Sequence, residues 1–314
     1  MSLPLAIFLF IAGLGLVIFF AEQLVKGLVG TSTGFGVSAF LISVIFLGFD
    51  PENLAVGAAG SYEQVSGIAL GSVIGAAMVA IALAFGITAL CVPMRFEQVP
   101  RQIVVAPILA VVLFGLLGLD RQLSRLDGGI LLLGFFVAIA YLIWLNQKGF
   151  DIEPTGEVAE TLEKDEQPSR WKALGLFVVS LIAIVAGSEM LVTGAENLID
   201  RVGISDTAFG MTILAFLVSI EELARELPAA LKGRAEISFG NVVGSVLAFF
   251  LFNAGIIALV RPVVVSNQVL QFHLPVCLAT VVTLSVFVLR RRVSRLAGGI
   301  LVALYGFFIL GSYL

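Results

Sequence analysis

The chain is short of charge, of histidine and of cysteine, and each shortage removes a class of function. Asp, Glu, Lys and Arg make up only 13 % of its 314 residues, against 59 % hydrophobic residues and a mean hydropathy of +1.09. A soluble domain carries about 25 % charged residues, so a water-facing surface over the whole chain is excluded. Cys91 and Cys277 stand alone in apolar surroundings, which leaves neither a disulfide framework nor a zinc spacing. His273 is the one histidine, with no second histidine or cysteine at ligand spacing, so an intramembrane HExxH metalloprotease is excluded. No enzyme chemistry, resident cofactor or nucleic-acid partner is expected.

What the chain has is apolar runs. Stretches of about 17–25 apolar residues recur, each long enough to cross a ~30 Å hydrocarbon core as a helix. Barrel strands would be shorter and would alternate polar with apolar residues. The expectation is an all-α integral membrane protein whose main partner is the lipid bilayer. Ten transmembrane helices are expected near 3–21, 37–60, 66–92, 102–119, 127–146, 172–194, 205–231, 236–260, 268–289 and 296–313. The first has no basic leader and no small-residue cleavage site, so it reads as a retained span.

Basic residues in short loops stay cytoplasmic. Taking loops alternately, 13 of the 18 Lys and Arg fall on one side and Arg121, Arg125, Arg201 and Arg261 on the other, with Arg225 inside a span. Both termini are therefore expected outside, in a plasma (inner) membrane. The hydrophilic segment "DIEPTGEVAETLEKDEQ" at 151–167 carries most of the acidic excess and reads as a solvated cytoplasmic linker, within 147–171.

The linker joins two related halves. "AEQLVKG" at 21–27 matches "SEMLVTG" at 188–194, and "GVS" at 36–38 matches "GIS" at 203–205, both at an offset of 167. "LGSVIG" at 70–75 matches "FGNVVG" at 239–244 at an offset of 169. Each half, 1–146 and 172–314, holds five spans. An odd number makes the second copy enter the membrane from the opposite face, so the expected architecture is two inverted five-helix repeats. Such folds place a substrate site near the midplane on discontinuous helices.

Charge inside the apolar runs points to that site. "LGFDPENLAVG" at 47–57 sets Asp50, Pro51 and Glu52 together within an uncharged run, and "AFLVSIEELARELP" at 215–228 does the same with Glu221, Glu222, Arg225 and Glu226. Ionisable groups at this depth cost several kcal/mol unless they meet a partner, an ion or water. On a continuous helix Ser219, Glu222 and Glu226 share one stripe with Arg225 beside it, and Glu221 points about 100° away. Asn241, Ser245 and Ala248 form a stripe flanked by Gly240 and Gly244, while Gly67, Gly71 and Gly75 have small-xxx-small spacing for close helix approach.

At these two segments the chain resembles the calcium/cation antiporter superfamily, which includes the sodium/calcium exchangers. The family pattern runs close to G-T-S-x-P-E, followed by G-N-x-x-G-S-N; here the copies are "GFDPEN" with "GSVIGAA" and "LVSIEE" with "GNVVGSV". The resemblance implies that Glu52 and Glu222 are ion-binding glutamates, and that Ser219 and Ser245 are the motif serines. The pattern departs at Gly48, Phe49, Val218, Ala76, Ala80 and Phe249, where hydroxyl or amide ligands would stand.

The expected function is secondary antiport of calcium or another divalent cation against protons or sodium. Glu52, Glu222, Asp50, Ser219 and Ser245 would hold the metal ion, and Glu226, Arg225 and Asn241 would couple protons or charge. Few neutral oxygens and many carboxylates favour protons, since sodium and calcium both need a shell of oxygens. Two alternatives stay open: a same-scaffold transporter of another substrate, which Arg225 would suit if anionic or zwitterionic, and a non-transporting membrane protein locked by a Glu222/Arg225/Glu226 cluster.

Overall fold

The computed structural model describes residues 1–35, 50–96, 101–147 and 169–314. The first helix, α1 (Leu3–Gly34), runs 32 residues where 3–21 was expected, and α6 (Arg170–Val202) runs 33 where 172–194 was expected. Nothing in their polar continuations breaks a helix, and Glu22 and Lys26 pair one turn apart along α1. At about 1.5 Å per residue both outreach the ~30 Å apolar core. Gly203 stops α6 with a left-handed φ of +74°.

Between them come α2 (Pro51–Tyr62), α3 (Ser66–Cys91), α4 (Arg101–Leu117) and α5 (Arg125–Gln147). After α6 come α7 (Asp206–Ser219), α8 (Glu221–Leu231), α9 (Ala235–Val260), α10 (Val269–Leu289) and α11 (Arg295–Ser312). Among the described residues eight helices are long and apolar enough to cross a membrane, or nine if α7 and α8, bent by 50° at their junction, count as one span. The expected span at 37–60 is described only from Asp50 onward. Gly48, Phe49 and the 36–38 motif lie outside the described residues, as does 148–168 of the expected linker.

The centre of the bundle belongs to α3 and α9, whose apolar windows are each 83 % buried, while the outer long helices turn most of their surface to lipid. Wide π turns at Gly71–Gly75, Val79–Ala84, Phe209–Leu214 and Ala248–Asn253 loosen α3, α7 and α9. Gly67, Gly71 and Gly75 bring α3 against the backbone of α7 at Asp206, Gly210 and Met211, as their spacing predicts. Gly240 in α9 faces open space instead, while Gly244 is buried.

Contacts recur in matched pairs at near-constant offset. Gly27 packs on Ala173 and Phe177, and Gly194 packs on Ala6 and Phe10, so α1 and α6 lie antiparallel in a register repeated 167 residues on. Gly86 of α3 abuts Gly298 of α11; Gly128 of α5 abuts Gly255 of α9. Four two-residue strands exchange in the same way: β1 (Met94–Arg95) pairs with β4 (Arg292–Val293), and β2 (Gln122–Leu123) with β3 (Val263–Val264). Even the turns match, with positive φ at Gln64 and Gly233 and at Arg121 and Arg291.

Candidate functional site

The site begins where α2 begins. Asp50 is buried in extended backbone and caps α2, its Oδ1 accepting from Asn53 N at 2.8 Å, with Pro51 pre-set at the first helical position. A helix N-terminus therefore falls inside the apolar run, where the charge pattern predicted an interruption. Glu52 follows in the first turn and is buried.

The interruption in the other half is the 50° bend between Ser219 and Glu221. It corrects the reading of 219–226 as one continuous helix, and with it the place of Ser219 relative to Glu222. Glu221 and Glu222 share α8 and point about 100° apart, as expected: Glu221 turns toward the first half, where Asp50, Glu52 and Glu221 each present a carboxylate oxygen within 4.8 Å of the other two. Periodicity separated Glu221 from Glu222 but did not say which groups it would meet.

Glu222 is wholly buried and held by second-half partners. Asn241 Nδ2 donates to Oε2 at 2.7 Å and Ser245 Oγ donates to Oε1 at 3.0 Å, both from α9. Arg225 reaches back along α8, with Nη2 2.7 Å from Glu221 Oε1 and Nη1 3.5 Å from Glu222 Oε1. Its charge also acts on Asp50 and Glu52. Glu226, one turn past Glu222, is buried, and among the described residues neither of its oxygens has a hydrogen-bond partner. It lies within electrostatic reach of Glu222, Arg225 and Asn241.

Asn53 is a site residue that the sequence reading missed. Its Nδ2 donates to Asp50 Oδ2 at 2.9 Å and to Ser219 Oγ at 2.8 Å, tying the start of α2 to the end of α7. Its place three residues after the capping aspartate was the available signal. Ser219 thus accepts a hydrogen bond from Asn53.

Carboxylates held away from water at the start of α2 and just past the α7–α8 bend serve ions that must shed hydration while crossing a bilayer, which makes the class a secondary cation transporter and not an enzyme. The chain belongs to the sodium/calcium exchanger family, whose model, described as sodium/calcium exchanger protein, matches residues 5–144 and 172–314. It is 30 % identical to the membrane protein MJ0091 of Methanocaldococcus jannaschii over 76 % of either chain. It is 25 % identical to the sodium/calcium exchanger MaX1 of Methanosarcina acetivorans, covering 92 % of this chain and 93 % of that one. The solved sodium-calcium exchanger NCX_Mj, soaked with sodium and strontium, matches with a TM-score of 0.61 at 26 % identity, over 98 % of this chain and 99 % of that one. More distant relatives include Ca(2+)/H(+) antiporters and a vacuolar cation/proton exchanger.

Proposed function

We propose that this chain exchanges calcium or another divalent cation for protons or sodium, at a midplane site built on Glu52 and Glu222. Asp50, Ser219 and Ser245 complete the metal environment, with Glu221 and Asn53 added by geometry. Glu226, Arg225 and Asn241 handle protons and charge. The observation that carries this reading is the meeting of Asp50 and Glu52 from one half with Glu221 from the other.

The site lies between two five-span halves, 1–146 and 172–314, related by an inversion across the membrane, with 147–171 as a cytoplasmic linker. The paired contacts of Gly86 with Gly298 and Gly128 with Gly255, and the exchange of β1 with β4 and β2 with β3, support that inversion. Both ends of the chain face outside a plasma (inner) membrane. The β1–β4 ribbon sits beside Arg95 and Arg290–Arg295, which supports a cytoplasmic assignment of that end, and the β2–β3 ribbon beside Arg121, Arg125 and Arg261, the smaller basic set, supports an outer one.

A second reading is favoured by one observation: Arg225 pairs with Glu221 and Glu222 inside a single helix, as a structural cluster would. Thermal-shift and calorimetric titration with calcium, manganese, magnesium and sodium separates the two. The exchanger is stabilised by a divalent cation, and Glu52→Gln and Glu222→Gln remove that stabilisation while both variants still express and purify as the wild type does. A wild type indifferent to every cation, or variants that respond unchanged, would support the structural cluster.

A further inference from the structure

The two strand ribbons repeat one frame at an offset of 169 or 170, and they differ in charge. Val265 N donates to Arg121 O at 2.8 Å beside the β2–β3 ribbon, and Phe96 N donates to Arg291 O at 3.1 Å beside the β1–β4 ribbon. Arg125 and Arg295 each donate to a carbonyl at the end of a central helix, Val260 O on α9 and Leu90 O on α3. Arginine at these four positions therefore belongs to the frame. Arg95, Arg290 and Arg292 do not, because Val264, Asp120 and Gln122 stand at their places in the other ribbon. The fold builds the same turn without them.

We infer that Arg95, Arg290 and Arg292 form a docking site for the phosphate of an anionic phospholipid headgroup. This is independent of ion exchange. Arg95 and Arg292 are exposed and paired directly opposite one another across the ribbon, where like charges repel. Among the described residues no carboxylate pairs with Arg95, Arg290 or Arg292. A basic excess at one end of a membrane protein is met by charges anywhere in its loops and does not require an opposed pair. A phosphate between the two turns that repulsion into attraction, since it accepts from two guanidinium forks at once.

The place of the ribbon makes the anion a lipid. Its strands follow the last turns of α3 and α10 and precede α11, where Leu90, Leu289 and Leu296 are exposed and offer apolar surface to acyl chains. Juxtamembrane clusters of arginine attract anionic headgroups at this level. Met94 and Val293, the other cross-strand pair, are buried, and the Phe96 ring meets Phe239 of α9 edge-on at 5.9 Å, so the ribbon is seated on the bundle. A headgroup held by both strands fastens the α10–α11 turn to the end of α3.

The test places the purified full chain in nanodiscs of phosphatidylcholine, with or without phosphatidylglycerol, and reads thermal unfolding and, by native mass spectrometry, the lipid retained. Wild type unfolds at a higher temperature with phosphatidylglycerol and retains it preferentially. Arg95→Val/Arg292→Gln, which copies the β2–β3 ribbon, unfolds as wild type does in phosphatidylcholine, loses the rise and retains phosphatidylglycerol at least fivefold less. Arg290→Asp, which copies Asp120 and leaves the strand pairing untouched, shows the same loss and guards against a folding defect in the double variant. Lys232→Gln/Arg234→Gln removes an equal charge from another loop and keeps both the rise and the lipid. Inorganic phosphate added to phosphatidylcholine discs leaves the unfolding temperature unchanged. Equal losses in the two double variants would reduce the ribbon to general surface charge and overturn the site, as would a rise produced by inorganic phosphate. A wild type indifferent to phosphatidylglycerol would also overturn it, and would give the ribbon to the acidic segment 151–167 if neutralising that segment destabilised wild type but not Arg95→Val/Arg292→Gln.

Discussion

Asn53 Nδ2 lies 2.8 Å from Ser219 Oγ, a hydrogen bond between residues 166 positions apart. The same amide group donates to Asp50 Oδ2 at 2.9 Å, so one side chain ties the capping aspartate of α2 to the last residue before the bend of α7 into α8. All three residues are buried, where an unmade hydrogen bond is more costly than in water. The start of α2 and the bend of α7 into α8 therefore depend on each other.

That dependence is measurable. Asn53→Ala leaves Asp50 and Ser219 each short of a donor and should lower stability by about 1–3 kcal/mol. Ser219→Ala should cost about 1 kcal/mol, and the pair should be non-additive by about 0.5–3 kcal/mol, as for residues in one network. Thermal unfolding of the two single variants and the double variant in detergent gives the cycle. Strict additivity would mean that the bond does not couple the halves.

Gly128 and Gly129 are neighbours on α5 with opposite surroundings, and they predict opposite outcomes. A Cβ at Gly128 would stand 2.7 Å from the backbone oxygen of Gly255, closer than real Cβ contacts come, whereas one at Gly129 would meet nothing within 4 Å. Gly128→Ala forces α5 and α9 apart and should destabilise by about 1–3 kcal/mol. Gly129→Ala relieves a helix-interior glycine and should be neutral or stabilise by up to about 1 kcal/mol. The melting temperatures of the two variants, measured side by side, decide it; equal shifts would contradict the close approach of these helices. Gly298→Ala, at the matched contact with Gly86, should behave as Gly128→Ala does.

The bundle was legible because hydropathy marks membrane-crossing helices directly, and Glu52, Glu222 and Asp50 were legible because charge at that depth is rare. Four things were not. The full lengths of α1 and α6 were hidden because their outer turns are polar yet contain no breaker, so hydropathy stopped before the helices did. The bend after Ser219 was hidden because 50° leaves no trace in helical periodicity; Ile220, at the junction, is an ordinary helix residue by type. Asn53 was overlooked because its role comes from two partners, one local and one in the other half, and only the local spacing is written in the sequence. The exchanged two-residue strands are likewise too short to carry a pattern of their own.

The coupling ion is where the missing ligands decide. Resemblance to the exchangers puts hydroxyl or amide oxygens at positions that here hold Gly48, Phe49, Val218, Ala76, Ala80 and Phe249. Among the described ones, Val218, Ala76, Ala80 and Phe249 are buried and carry no side-chain oxygen, so they give a hard monovalent ion nothing to bind. The neutral side-chain oxygens nearest Glu222 are those of Ser245 and Asn241, whose hydroxyl and amide hydrogens are already directed at its carboxylate. The site is rich instead in carboxylates, and Glu226 lies buried with neither oxygen hydrogen-bonded among the described residues. A carboxylate in that position is costly as a bare anion and is neutralised by a proton or by a neighbouring cation. Divalent flux in liposomes should therefore follow an imposed pH gradient in the absence of sodium, and a sodium gradient at constant pH should drive little. Glu226→Gln, which keeps the shape and removes the titratable group, should reduce pH-driven flux at least tenfold while preserving divalent-dependent thermal stabilisation. Flux driven by sodium at constant pH, with no movement of protons, would reverse the assignment and mean that backbone carbonyls at the two helix interruptions supply the oxygens that these side chains lack.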